Sequence, residues 1–190
     1  HEKSDQYEDG DGNDFAQQID KLNPSFTPMA GDPHYKDIYR DMEAYTKNTF
    51  MAKLFFNLID NHEMAVSYTA NSSDDVLYPS SKMDALYDDS NMLNLDYSIK
   101  NLGAFSKKLD FQFYHSDVIH PMSTKYRVSS SAPQVATATN SNNEIISKLS
   151  TDMDGFKVKN AFDLNASSEV AIGLDFSKRN WDGEYIGFGV

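Results

Sequence analysis

His120, Pro121 and Met122 are the residues of this 190-residue chain whose types and spacing point most clearly to chemistry. Imidazole and thioether suit copper as a donor pair, and thioether in particular favours Cu(I). Residues two apart in an extended chain point the same way, so His120 and Met122 would present both donors to one ion. Pro121 between them cannot donate to a ladder, which suits a strand end or edge. With five histidines and eight methionines in the chain, such a pair can also arise by chance. Weaker ligand-binding candidates are Met83, Asp88 and Asp89. Asp74-Asp75 and Asp88-Asp89 flank Met83 in a polar stretch and could draw cations by their summed field, although acidic loops are more often simply solvated. Met83 and Met92 could offer transient thioether contacts or serve as packing filler.

The remaining motifs carry less. Asp9-Gly-Asp-Gly-Asn13 places Asp9, Asp11 and Asn13 at positions one, three and five of a calcium loop. The glycine due at position six is Asp14, however, and position twelve is Asp20 rather than Glu, so the stretch reads as a tight, solvated turn. His34 and His62 fall in a loop and a short turn without metal-binding neighbours, and His115 has the opposite parity to His120. Serine, histidine and aspartate are abundant, but no nucleophile-elbow or phosphate-loop context surrounds them, so the chain is not expected to be an enzyme. The balance of 29 acids against 17 bases, a net charge of -12, argues against nucleic acid. Zero cysteines exclude a disulfide framework, a cysteine zinc finger and a thiol nucleophile. No apolar run is long enough for a transmembrane helix, which leaves open a transmembrane β-barrel with its half-apolar strands.

The elements that would position these residues have a period of two. Leu93, Leu95, Tyr97 and Ile99 alternate with Asn94, Asp96, Ser98 and Lys100. After a Gly-bearing turn at Asn101–Phe105, Leu109, Phe111 and Phe113 alternate with Asp110, Gln112, Tyr114 and Ser116. Hairpins are expected at about 50–71, 91–117 and 155–177, with short turns at Ile59–His62, Asn101–Phe105 and Asn165–Ser167. Two long polar connections, about 72–90 and 119–147, alternate with the short turns. Short turns at one end and long loops at the other are the organisation of an outer-membrane barrel. Strands of about ten residues match a tilted bilayer span. Tyr68, Tyr78, Tyr87, Tyr97, Trp181 and Tyr185 are expected near strand ends, as a headgroup girdle would want. Asp37–Lys47 reads either as a short helix or as a loop running into a strand, and His1–Asp14 as a loop tip. If the parity from Asp110 to Ser116 continues without a bulge, His120 and Met122 face the lumen. Both ends of the chain read as cut. The expected fold is therefore all-β, an antiparallel transmembrane β-barrel sector of about 6–8 strands, with residues 1–190 forming part of a larger barrel.

Three stretches carry a family resemblance: Tyr7-Glu-Asp-Gly-Asp-Gly-Asn13, Leu109–Arg127 (LDFQFYHSDVIHPMSTKYR) and Asp152–Trp181, which ends in Gly173-Leu-Asp-Phe-Ser-Lys-Arg-Asn-Trp181. Together they resemble the barrel of a TonB-dependent receptor, most of all its copper-receptor branch. The resemblance implies a transporter of the bacterial outer membrane that imports copper as its cargo, with lipid around the barrel and a TonB partner acting through a plug region absent from this chain. It implies that His120 and Met122 supply half of a copper site, and that a Cys and a second Met come from the plug side. Two other readings stay open. One is a receptor of the same family for another metal chelate or siderophore, and the other is a soluble secreted β-sheet binding protein.

Overall fold

The computed structural model describes residues 1–25, 31–103, 105–131 and 144–186. Its elements in chain order are β1 (Glu2–Ser4), α1 (Phe15–Leu22), β2 (Tyr45–Ile59), β3 (His62–Val76), β4 (Asp84–Lys100), β5 (Ser106–Ser123), β6 (Ile146–Asn165) and β7 (Ser168–Ile186), with single 3₁₀ turns at Asp37–Tyr39 and Val128–Ser131. The seven strands form one sheet in sequence order. Every neighbouring pair is antiparallel. This is the all-β barrel sector expected from the alternation.

Cross-strand register sorts the side chains into two faces. One face carries Leu54, Val66, Leu95, Phe113, Phe156 and Phe176 in a single row across β2 to β7. The row beside it holds Phe56, Met64, Tyr97, Phe111, Val158 and Leu174. The opposite face carries Lys53, Ser67, Asn94, Tyr114, Gly155 and Ser177, and next to them Phe55, Ala65, Asp96, Gln112, Lys157 and Asp175. Polar partners satisfy one another on this second face: Gln112 Nε2 donates to Asp96 at 2.9 Å, and Lys100 Nζ lies 2.6 Å from Glu63. The Tyr114 ring lies across Gly155, where a Cβ would come within 2.2 Å of it. Its hydroxyl reaches Asp175 at 3.4 Å.

The apolar band does not run parallel to the rows. Phe50 on β2 shares its row with Asn91, Asp117, Asp152 and Asn180. On β7 the continuous apolar run of that face, Val170, Ile172, Leu174 and Phe176, ends four residues short of Asn180. Four residues are about 13 Å along a strand, and five strand steps are about 24 Å across, so the band slopes by roughly 30°. Barrel strands tilt by about 35–45°, and a bilayer cuts tilted rows at such a slope.

The strands are longer than ten residues. β2 and β3 have 15 each, and β4 to β7 have 17 to 20. A bilayer needs about 9–11, so the excess extends past the apolar band, away from the short turns. The first long connection consequently shrinks to 77–83, because the expected loop 72–90 is largely strand. Within the second, β5 continues to Ser123 and β6 begins at Ile146, and residues 132–143 lie outside the described part. Of the two readings of Asp37–Lys47, the loop running into a strand is the one adopted: a single 3₁₀ turn at Asp37–Tyr39 precedes β2. His1–Asp14 is more than a loop tip. β1 pairs with the start of β2, and Asp14 and Gln17 close a capping box on α1. The girdle is smaller than expected: of the six residues, Tyr68, Tyr87 and Tyr97 have the parity of the apolar face. Trp181 and Tyr185 share the polar-face parity of Ser177, and Tyr78 lies in the 77–83 connection.

Leu95 lies between Val66 and Phe113 in the middle of the apolar band. Leu95→Arg is expected to destabilise the protein in lipid by about 2–4 kcal/mol, and Asn94→Arg on the other face to cost little. Equilibrium urea unfolding of liposome-inserted protein measures both, and equal costs would remove the distinction between the faces.

Candidate functional site

Beyond the apolar band the chain builds a compact cap. Phe15, Ala16, Ile19, Tyr35, Ala44, Leu77 and Tyr126 form its buried cluster. Phe15, Ala16 and Ile19 make one stripe of α1, the spacing an amphipathic helix needs to bury a single face. Tyr7 meets Phe15 edge-on with ring centroids 4.4 Å apart. At the centre of the cap, Arg127 and Asp84 form an ion pair with both side chains fully buried. Asp84 Oδ2 accepts from Arg127 Nε at 2.6 Å, and Oδ1 from Arg127 Nη2 at 2.5 Å. Oδ1 also accepts from the Tyr35 hydroxyl at 3.0 Å and from the Tyr78 backbone N–H at 2.8 Å. The guanidinium donates further to the carbonyls of Pro33 and Tyr78, at 2.7 and 3.0 Å. It lies 3.8 Å from the centre of the Tyr35 ring. A buried pair is tolerable only when its remaining donors and acceptors are satisfied in this way.

The cap shapes the strand ends that hold the sequence-predicted site. Asp84 is the cross-strand partner of Ser123, and Ala85 of Met122. Between Ala85 and Asp89 the register shifts, so that β4 has one more residue than β5 there. The bulge lies opposite Pro121, which has no N–H to give a ladder. β5 itself stays regular against β6, where His120 pairs with Leu149 and Met122 with Ser147. His120 and Met122 therefore share the polar face with Tyr114, Ser116 and Val118, about 6.6 Å apart along the strand. Both side chains are half-buried.

His120 Nδ1 lies 3.1 Å from Asp88 Oδ2. The Tyr78 ring approaches the imidazole edge-on at 6.1 Å. Burial, with the carboxylates of Asp88 and Asp84 nearby, pushes the Tyr78 phenol up, so it faces the site as a neutral group. The weaker candidates separate. Asp88 and Asp89 belong to β4 rather than to an entrance loop, and Asp89 pairs with Ile119 on the face opposite to His120. Met83 ends the 77–83 connection, its N–H bonded to Ser81 Oγ at 3.1 Å. Asp9 is occupied within its own turn, accepting from the Asp11 and Asn13 backbone N–H groups at 2.9 Å each. The other histidines are engaged elsewhere: His115 Nδ1 lies 2.7 Å from Asp154, and buried His34 lies 2.5 Å from Asp32. Among the described residues, no three His, Asp or Glu side chains gather as a metal cluster. Sequence reasoning missed Tyr78, Asp84 and Arg127. Arg127 ends the quoted Leu109–Arg127 stretch, but nothing local ties it to Asp84.

No family model matches the chain, and no curated protein sequence matches it. Among solved structures it is similar to one titled Copper transporter OprC, with a TM-score of 0.68 and 15% sequence identity. The match covers 96% of this chain and 24% of that one, so the chain spans about a quarter of that structure's length. At this identity the likeness concerns the fold: the sheet is built like a sector of that protein.

Two outcomes follow for the cap. Arg127→Met and Asp84→Leu should each destabilise it by about 3–5 kcal/mol, and the double variant by less than either alone. Hydrogen exchange across 77–83 and 124–131 reads this, and additive losses would contradict it. Burial, reinforced by the Asp84 carboxylate at Tyr35 and by the bonded Asp75 at Tyr126, raises both phenols above their ordinary value of 10.0. The folded protein keeps these protons where the unfolded chain loses them. The stabilisation is thus complete below about pH 10 and falls as pH rises above it. Urea unfolding between about pH 8 and pH 11 should show a loss that Tyr35→Phe together with Tyr126→Phe reduces, and an identical loss in that variant would exclude these groups.

Proposed function

We propose that this chain is part of the wall of an outer-membrane, TonB-dependent receptor that imports copper, with the ion as cargo. The observation that carries the reading is the pairing of His120 and Met122: two soft donors, two residues apart on one regular strand, on the wet face and beside the cap. Imidazole and thioether fit copper in either oxidation state, and the thioether favours Cu(I). A pair is too few to close a coordination sphere, so the remaining donors are assigned to a segment that fills the barrel beyond this chain. On this reading the wall is passive. The loop end admits the ion, His120 and Met122 hold it against the filling segment, and a TonB partner acting on that segment releases it. The apolar band meets lipid, and the chain has no catalytic role. The fold likeness to a structure titled as a copper transporter supports the same cargo.

His120→Ala with Met122→Ala should weaken Cu(I) binding by about 100-fold or more while leaving the fold intact, as read by chelator competition and circular dichroism in detergent. Unchanged copper affinity would overturn the copper reading and favour a metal chelate as cargo.

A further inference from the structure

Copper is bound by one nitrogen of an imidazole ring, and which nitrogen is free depends on the hydrogen bond the other one makes. At His120 that bond is to Asp88. An ionised carboxylate only accepts, so Nδ1, 3.1 Å from Oδ2, must be the protonated nitrogen. The lone pair then sits on Nε2, the ring nitrogen farther from the backbone. No other partner of the His120 ring is found among the described residues apart from the edge-on Tyr78 ring, which limits its rotation. His115 provides a contrast: its Nδ1 lies 2.7 Å from Asp154 and its Nε2 3.8 Å from Asp117, so carboxylates flank both nitrogens. Asp88 reaches His120 from within the irregular stretch between Ala85 and Asp89, next to the paired residues Asp89 and Ile119. It lies on the wet face beside Ser73, whereas Asp89 lies on the other.

We propose that Asp88 is the positioning residue for His120: its carboxylate holds the Nδ1 proton and leaves Nε2 as the donor to a soft metal ion. The part about the ion rests on the copper reading above, while the part about the ring does not. Protein in detergent, labelled with ¹⁵N only in histidine side chains and free of metal, should show His120 protonated on Nδ1, assigned by its absence in His120→Gln. In Asp88→Leu the signal should move to the Nε2–H form that dominates in free histidine. Cu(I) affinity, measured by competition with a chromogenic chelator, should fall about 10–100-fold in Asp88→Leu. Asp88→Asn, whose carboxamide oxygen still accepts, should stay within about fivefold of the unsubstituted protein.

An Nε2–H tautomer in the unsubstituted, metal-free protein would overturn the proposal whether or not any variant folds. Copper affinity that depends on His120 but not on Asp88 would overturn it too, leaving the copper reading intact. Copper affinity that ignores His120→Ala would remove the copper reading, and the tautomer would still decide the role of Asp88.

Discussion

Burial of Arg127 against Asp84 is the constraint from which the upper end of the sheet takes its shape. Two opposite charges with no exposed side-chain surface are held only because each nitrogen of the guanidinium and both carboxylate oxygens find partners. Those partners come from three separate parts of the chain: Pro33 and Tyr35, the connection at Tyr78, and the return at Arg127. Satisfying one charge therefore ties the N-terminal segment to two strand ends. Asp84 sits at the start of β4, in the cap, and β4 bulges just after it, opposite Pro121. The ion pair, the bulge and the His120 end of β5 form one mechanical unit.

Below that unit the physics is simpler. The same strands present an apolar row to one side and a hydrogen-bonded polar row to the other, and the apolar band slopes across them as a tilted wall in a bilayer requires. Above the band the outward rows turn largely polar, and cross-strand side-chain bonds such as Asn91 to Asp117 and Asn180 to Asp152 join the ladder in holding the strands.

This division explains what could be read from the sequence. The hairpin 91–117 was the most legible because Leu93–Ile99 and Leu109–Phe113 alternate strictly against polar neighbours, and the other two showed the same period of two less cleanly, with Ala65 and Ala171 on the opposite parity. The strands seemed to end too early because that signal is the contrast between parities. At Asp89, Asn91, Asp117, Asp152 and Asn180 the outward parity itself turns polar, so the ladder continues after the pattern has vanished. The parity of His120 and Met122 was legible, because β5 has no irregularity against β6 beyond Lys108. The cap was not. α1 has only eight residues, and its one local mark was the capping pair Asp14 and Gln17. Arg127 and Asp84 are 43 residues apart and pair through folding, with no spacing rule to announce it. Asp88 was singled out as an acid in a loop. Its contact with His120 depends on how β4 and β5 pair around the bulge, which a single strand does not reveal.

The central claim is that the two faces of this sheet meet different solvents and that His120 and Met122 stand on the wet one. The chain has no cysteine, so single labels can be placed along it without background from its own residues. Nitroxides at each position from 109 to 122, in protein reconstituted into lipid, report collisions with oxygen from the bilayer and with a water-soluble nickel complex. The account predicts oxygen-accessible labels at 109, 111 and 113, and nickel-accessible labels at 110, 112, 114, 116, 118, 120 and 122. Equal access for both parities, or the reverse pattern, would contradict it.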